Sequence, residues 1–301
     1  MRSLWKFFKV GIWLKEIRVI HWVKNLLVFV PVIASHKQIT LEVVSVNLKL
    51  FFALSLSASC IYLMNDVLDL DSDKSHSIKK NRPLAAGLIS SLAAKIVALV
   101  FLFTAMIFSY LISVEILTIC IVYISVNVLY STYLKKQVML DVFILTFFYT
   151  LRIIAGGVAN DVIISNWLLG FAFFLFLSLA LSKRFRELIN IAANGITPNS
   201  RRGYKKEDLP TLQILSISSG FTSLTILLIY LNDEQTRVIY NHPDRLLLLV
   251  PILMYWLSSN WFESVTVSKT EDPILDLFSR VRFFLLFPIA ILVLILATQG
   301  N

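Results

Sequence analysis

Asn65, Asp66, Asp69, Asp71 and Asp73 crowd the end of one apolar run, and His76, Lys79, Lys80 and Arg82 follow within a few residues. The run begins near Leu41, and another opens at Ser91. Ionisable side chains at the end of a membrane-length apolar segment are costly and call for a function. Asp66, Asp69 and Asp73 are spaced three and four residues apart, so on a helix they share one face, with Tyr62 above them. Asp71 points elsewhere. Carboxylates at a helix C-terminus also work against the dipole, so a solvated acidic helix end explains the pattern poorly. A hard divalent cation with oxygen ligands, Mg2+ shared with substrate phosphates, would relieve the repulsion. We therefore expect Asp66, Asp69 and Asp73 to be the catalytic, metal-holding residues, with Asn65 beside them. His76, Lys79 and Arg82 supply donors suited to phosphate oxygens. Acid for metal and base for phosphate in one loop reads as a diphosphate site.

The elements that must position this loop are apolar helices. The chain has 301 residues, 57% hydrophobic and 16% charged, with mean hydropathy +0.76. Soluble domains carry about 25% charged residues. The expected fold is an all-α polytopic membrane protein, a single integral membrane catalytic domain over residues 1–301. Apolar windows predict nine transmembrane helices, near Trp22–Ser35, Leu41–Met64, Ser91–Ile112, Ile116–Leu134, Met139–Ala159, Ile164–Leu181, Leu212–Leu231, Arg245–Phe262 and Phe283–Thr298. Before them, Leu4 to Lys15 alternate aromatic and apolar residues with lysines, as an amphipathic interfacial helix does.

The net charge of +9 is explained by topology rather than by nucleic acid. Lys and Arg concentrate at the N-terminus and after the second, fourth, sixth and eighth spans, leaving Lys37, Arg237 and Arg245 opposite. The positive-inside rule then puts the N-terminus and the aspartate loop on the cytoplasmic side of a bacterial-type plasma membrane. Cys60 and Cys120 lie in apolar segments without metal-ligand spacing and read as packing residues. The four histidines form no zinc pattern.

More polar groups fall on the same side. Lys24 and Asn25 open the first span. Tyr130 and Lys135 close the fourth, and Asp141 opens the fifth. Arg152 lies inside the fifth span, ahead of Gly156 and Gly157, and must face protein, water or a partner. Lys183 and Arg184 leave the sixth span, with Glu187 four residues beyond Lys183. Each admits a structural reading: a snorkelling lysine, a dipole-favoured aspartate, a buried ion pair, a positive-inside cluster. Taken together they suit a cationic wall facing phosphates.

Asn65-Asp66-x-x-Asp69-x-x-x-Asp73 resembles the NDxxDxxxD signature of the UbiA-type intramembrane prenyltransferase superfamily. Within it the chain looks most like the decaprenyl-phosphate phosphoribosyltransferase branch. The blocks that carry this are His21-Trp22-Val23-Lys24-Asn25, Asn65 to Gly87, Tyr130 to Asp141, Leu151-Arg152 to Gly156, and Lys183 to Leu188. Departures from the branch pattern stand at Val19, His21 and Ser77, and at Ser259, Arg280 and Val281 near the end. The resemblance implies a UbiA-like bundle, a Mg2+ cofactor and two substrates: phosphoribosyl diphosphate, or a similar diphosphate donor, and a polyprenyl phosphate lipid held in the membrane. It implies phosphate contacts from Lys24, Asn25, His76, Lys79, Arg82, Tyr130, Lys135, Asp141, Arg152, Lys183 and Arg184. A homo-oligomer is compatible with it, and no nucleic acid is. The same aspartates would also serve transfer of a prenyl group from a prenyl diphosphate. Against that, the Tyr130–Asp141 hairpin lacks the second acidic pair such enzymes usually carry. A transporter or lipid-binding protein fits less well, since only Arg152 is clearly deep.

Overall fold

The computed structural model describes residues 10–35, 37–75, 79–193, 203–233, 237, 240–265 and 281–298. All regular structure among them is helical. A short helix α1 (Val10–Glu16) leads into a 3-10 helix, Val19–Phe29, continued by α2 (Val30–Ala34). Then come α3 (Leu41–Leu68), α4 (Leu70–Ser75), α5 (Ser91–Tyr110), α6 (Val114–Thr132), α7 (Leu140–Ala159), α8 (Asn166–Ala193), α9 (Leu209–Asn232), α10 (Leu249–Ser264) and α11 (Val281–Thr298).

Nine spans were expected; among the described residues seven helices are long and apolar enough to cross a membrane. An eighth is reached if α1 and the Val19–Ala34 stretch, bent by 59°, count as one span. Pro288–Thr298, within the last expected span, is a shorter apolar helix. Of the expected interfacial segment Leu4–Lys15, only the part from Val10 is described, and it is helical.

The chain forms two compact units: residues 1–132 with 151–163, and residues 133–150 with 164–301. In the first, α3 is the organising helix. Thr40 caps it by accepting the Val43 N–H at 3.3 Å, and Glu42 in its first turn suits the dipole. Its 28 residues span roughly 42 Å, against about 30 Å of bilayer hydrocarbon. The surplus lets the helix carry polar residues beyond the apolar layer. One face of α3 buries Ser55 and Ser59, which hold the 3-10 helix. Asn25 donates to Ser55 Oγ at 2.8 Å, Trp22 Nε1 to Ser59 Oγ at 3.0 Å, and Ser59 to the Ile17 carbonyl at 2.8 Å. Small buried residues on α5, Ala94, Ala98 and Ala105, suit close packing of neighbouring helices. Both cysteines are buried and unpaired by disulfide, as expected.

In the second unit, Ser178 of α8 and Ser216 of α9 exchange hydrogen bonds with each other's carbonyls, at 2.7 and 2.6 Å. Val142, Leu177, Leu181, Phe185, Leu188 and Leu212 share an apolar core there.

Gly156 sets how closely α7 approaches the 3-10 helix. A Cβ at that position would lie 2.1 Å from the Val28 carbonyl oxygen, which is backbone and cannot swing away. Gly156→Ala should therefore destabilise the protein by about 3 kcal/mol, read as a lowered melting temperature in detergent. Gly170→Ala, whose Cβ would meet only Ile226 side-chain atoms at 3.7 Å, should leave melting unchanged or raise it.

Candidate active site

Tyr62, Asn65 and Asp66 lie on the last turns of α3. α3 ends at Leu68 and α4 begins at Leu70, yet the hydrogen-bond ladder runs on: Asp69 N–H donates to the Asn65 carbonyl at 2.9 Å, and Asp73 N–H to the Asp69 carbonyl at 2.8 Å. The shared face survives the break. Asp66 and Asp73 are 4% and 1% exposed, and Asp69 is half-buried. Asp71 points to solvent, as its register requires, with Lys74 3.9 Å away.

Arg82 returns to this face. The chain turns through Lys79–Asn81 and doubles back, with Gly87 at φ +73°. Nη1 of Arg82 donates to Asp66 at 2.8 Å and to Asp73 at 2.6 Å. One guanidinium nitrogen thus joins two buried carboxylates. Lys79 Nζ stands 3.8 Å from the other Asp73 oxygen, Oδ1. A second arginine, Arg18, closes Asp66 from the opposite side in sequence. Its Nη2 lies 2.9 Å from both carboxylate oxygens, and its guanidinium carbon is 4.5 Å from the centre of the Tyr62 ring. Arg18 takes φ +56°, a left-handed backbone uncommon outside glycine. Glu16, 1% exposed, accepts the Leu84 N–H at 3.3 Å and so ties α1 to the return turn. Asn65 reaches the end of α6, donating to Ser131 at 3.0 Å.

These residues suit a divalent metal. Asp73 Oδ1 is buried and accepts no hydrogen bond, the kind of hard oxygen Mg2+ takes. Among the described residues no three His, Cys, Asp or Glu side chains gather as a protein-only cage. Mg2+ does not require one, since one or two carboxylates plus substrate phosphates suffice.

Deeper in the same unit, Arg152 is 7% exposed. Its Nε donates to Asn25 at 2.7 Å and its Nη2 to the Tyr123 hydroxyl at 3.2 Å, with the Tyr123 ring centre 5.3 Å away. Asn25 therefore bridges Ser55 and Arg152. Lys24 and Tyr130 are half-buried in this unit. His21, one of the departures from the branch pattern, places its ring 5.8 Å from Tyr62, the ring that carries Arg18. His76 and Ser77 lie outside the described residues, as does Arg280.

The second unit holds the rest. Asp141, fully buried, receives the Arg184 Nε and, at 2.5 Å, the Tyr204 hydroxyl. Arg184 Nη1 also donates to Glu187 at 2.5 Å. Tyr204 accepts the Met139 N–H at 2.9 Å, so it pins the chain after α8 to the start of α7. Lys135 and Lys183 are half-buried.

A protein-family model described as the UbiA prenyltransferase family matches residues 26–264. The chain belongs to this family. Among its relatives, the uncharacterised protein y4nM of Sinorhizobium fredii is 32% identical over 263 residues, 87% of this chain and 51% of that protein. The decaprenyl-phosphate phosphoribosyltransferase of Mycolicibacterium smegmatis is 35% identical over 179 residues, 58% of this chain and 56% of that one. The nodulation protein NoeC of Azorhizobium caulinodans is 28% identical over 242 residues, 79% and 77% of the two chains. This chain thus spans about half the length of the first two. Among solved structures, a UbiA homologue from Archaeoglobus fulgidus bound to GPP and Mg2+ superposes with a TM-score of 0.66 at 16% identity, covering 94% of this chain and 99% of that one. At that identity the likeness speaks for the UbiA fold, as the sequence led us to expect.

Sequence reasoning missed Arg18, Glu16 and Tyr204. Arg18 is one of several N-terminal cations that set topology, although Glu16 close by is the sole acid before Glu42. Tyr204 carried no local signal, because its partner is distant in sequence.

Burial raises the Tyr204 phenol above its ordinary value, and the hydrogen bond and charge of Asp141 raise it further. A folded-state pKa above the unfolded one contributes stability below about pH 10 that is lost as pH climbs toward the folded value. Melting temperatures of the wild type should therefore fall more steeply from about pH 9.5 to 11 than those of Tyr204→Phe. At pH 7 that variant should be less stable by about 1 kcal/mol.

Proposed function

We propose that this UbiA-family protein transfers a 5-phosphoribosyl group from phosphoribosyl diphosphate to a polyprenyl phosphate at the cytoplasmic face of a bacterial plasma membrane, releasing diphosphate. The observation that carries the reading is the imbalance of charge at the polar groups. Asp66 and Asp73 face three cations, Arg18, Lys79 and Arg82. The one carboxylate of the later hairpin, Asp141, is taken up by Arg184 and Tyr204. Few open carboxylates and many cations suit substrates that bring phosphates of their own. The similarity to mycobacterial-type decaprenyl-phosphate phosphoribosyltransferases supports the same choice.

Asp66, Asp69 and Asp73, with Asn65, would hold Mg2+, which when bound offsets negative charge on the departing diphosphate. Arg82 and Lys79 bind donor phosphates on the same face and stabilise the charge that grows as the anomeric C–O bond lengthens. The lipid phosphate is already ionised at neutral pH, so the site needs orientation more than a strong base. Two anions must still meet, and that repulsion is what the surrounding cations oppose. Arg152, fixed by Asn25 and Tyr123, adds fixed positive charge to the same unit.

A second reading has its own support. The family bears the name of prenyl transfer, and the Archaeoglobus fulgidus homologue has been solved with GPP and with DMAPP, each with Mg2+. Transfer of a prenyl group from its diphosphate to an aromatic or other acceptor would use the same aspartates.

Membranes containing the protein, given labelled phosphoribosyl diphosphate and polyprenyl phosphate, should form a Mg2+-dependent labelled lipid. Asp66→Asn should lower that rate by about 100-fold or more. Label appearing instead from a prenyl diphosphate in an aromatic product would replace the first reading with the second.

A further inference from the structure

Asp66 and Asp73 are almost wholly buried, yet their carboxylates already have counter-ions. Arg82 Nη1 sits between them, at 2.8 and 2.6 Å, and Arg18 Nη2 spans both oxygens of Asp66. A bare divalent cation arriving here would meet guanidinium charge as well as carboxylate charge. To bind, it must displace Arg82 or Arg18, and the displaced arginine needs a new anion within reach. A diphosphate supplies that anion. The arginines are placed to make the exchange. Their side chains are 25% and 30% exposed, whereas those of Asp66 and Asp73 are 5% and 2% exposed. Arg82 sits in a bend after the short 3-10 turn Lys79–Asn81, not inside a helix, and Arg18 joins α1 to the 3-10 helix. The strained left-handed backbone of Arg18 aims its guanidinium across Tyr62 and onto Asp66, and strain of this sort persists where surrounding structure enforces it.

We infer that Arg18 and Arg82 are resident counter-ions that exclude the metal until a diphosphate accompanies it, so that metal and diphosphate bind as a pair and Arg82 passes from the carboxylates to the phosphate oxygens. This assigns a role to Arg18 and rests on the aspartates being the metal–diphosphate site. The exchange keeps the buried charge balanced at each stage, because carboxylates gain the metal as arginines gain phosphate. It would also keep the protein from holding idle metal when the donor is absent.

The test measures Mn2+ binding to purified full-length protein in detergent, by the loss of the free Mn2+ electron-spin-resonance signal. Inorganic pyrophosphate is the probe, with protein-free Mn2+–pyrophosphate mixtures as reference. The wild type should bind Mn2+ at least about tenfold more tightly with pyrophosphate than without it. Arg82→Gln should bind Mn2+ alone about tenfold more tightly than the wild type and lose most of the pyrophosphate dependence. Arg18→Gln, which keeps Arg82 in place, should move part-way in the same direction and gives a second reading if Arg82→Gln does not fold. Asp66→Asn should abolish tight binding in both conditions, locating the metal. Equal Mn2+ affinity with and without pyrophosphate in the wild type would overturn the counter-ion role while leaving the metal–diphosphate reading standing. Unchanged coupling in both arginine variants would overturn it as well. Absence of tight Mn2+ binding even with pyrophosphate would remove the proposed function and this inference together.

Discussion

A carboxylate removed from water must find positive charge, and in this protein that demand shapes the end of α3. The cost of burying an unpaired ion is several kcal/mol even after relaxation. Asp66 and Asp73 meet it with arginines drawn from 48 positions before Asp66 and 9 positions after Asp73. Two segments far apart in sequence, the end of α1 and the turn after α4, are brought to the same helix end by this charge. Glu16 reinforces the arrangement by holding the Leu84 N–H. Apolar contacts among Ile17, Leu63, Leu84 and Ile89 add a non-directional term beneath it. The apolar cluster brings the segments near one another; the ion pairs fix which atoms face which.

The same logic runs along α3. Membrane helices gain little from apolar burial, so small residues and hydrogen bonds set their packing. The serines of α3 are placed four residues apart, at 55 and 59, and each receives a donor from the 3-10 helix. Asn25 then has its carbonyl oxygen left for Arg152. Gly156, one turn beyond Arg152, allows the backbone approach at Val28 that keeps this chain of contacts short. Asn47 and Asn160 make a comparable buried amide pair at 3.0 Å further along. Polar groups inside the unit thus act as its register marks.

Local pattern made much of this legible. Apolar windows located α3, α5 through α7, α9 and α10 to within a few residues, because hydropathy and helix length are local properties; α8 starts where expected but runs on to Ala193, past the apolar window that ended at Leu181. The i, i+3, i+7 spacing placed Asp66, Asp69 and Asp73 on one face, and it set Asp71 apart. What pattern could not supply were partners distant in sequence. The arginine at position 18 looked like one more positive-inside residue, since nothing near it names Asp66. Asn25 was noticed for its chemistry, but its pairing with Arg152 depends on how α7 crosses the 3-10 helix. The bend after Glu16 was also invisible: residues 10–34 read as an interfacial stretch and a short span, and the 59° break follows from docking onto α3. Glu187 stands four residues beyond Lys183, and the structure also gives it Arg184 at i, i+3, a partner that helix spacing allows but does not single out.

The two buried aspartate–arginine pairings look alike in sequence terms and differ in physical consequence. Arg184 and Asp141 have side chains only 2% and 0% exposed, and Tyr204 seals the second carboxylate oxygen. Separating the two would strand each in a medium that cannot solvate it, so breaking this pair is costly. Arg18 and Arg82 keep 25% and 30% of their side chains in contact with solvent. Water reaches both guanidinium groups, and Asp73 Oδ1 is left without a hydrogen-bond partner. A buried acid held by half-exposed bases is poised to change partners; one held by buried bases is not. That difference in exposure, more than the number of charges, is what sets the two pairings apart physically.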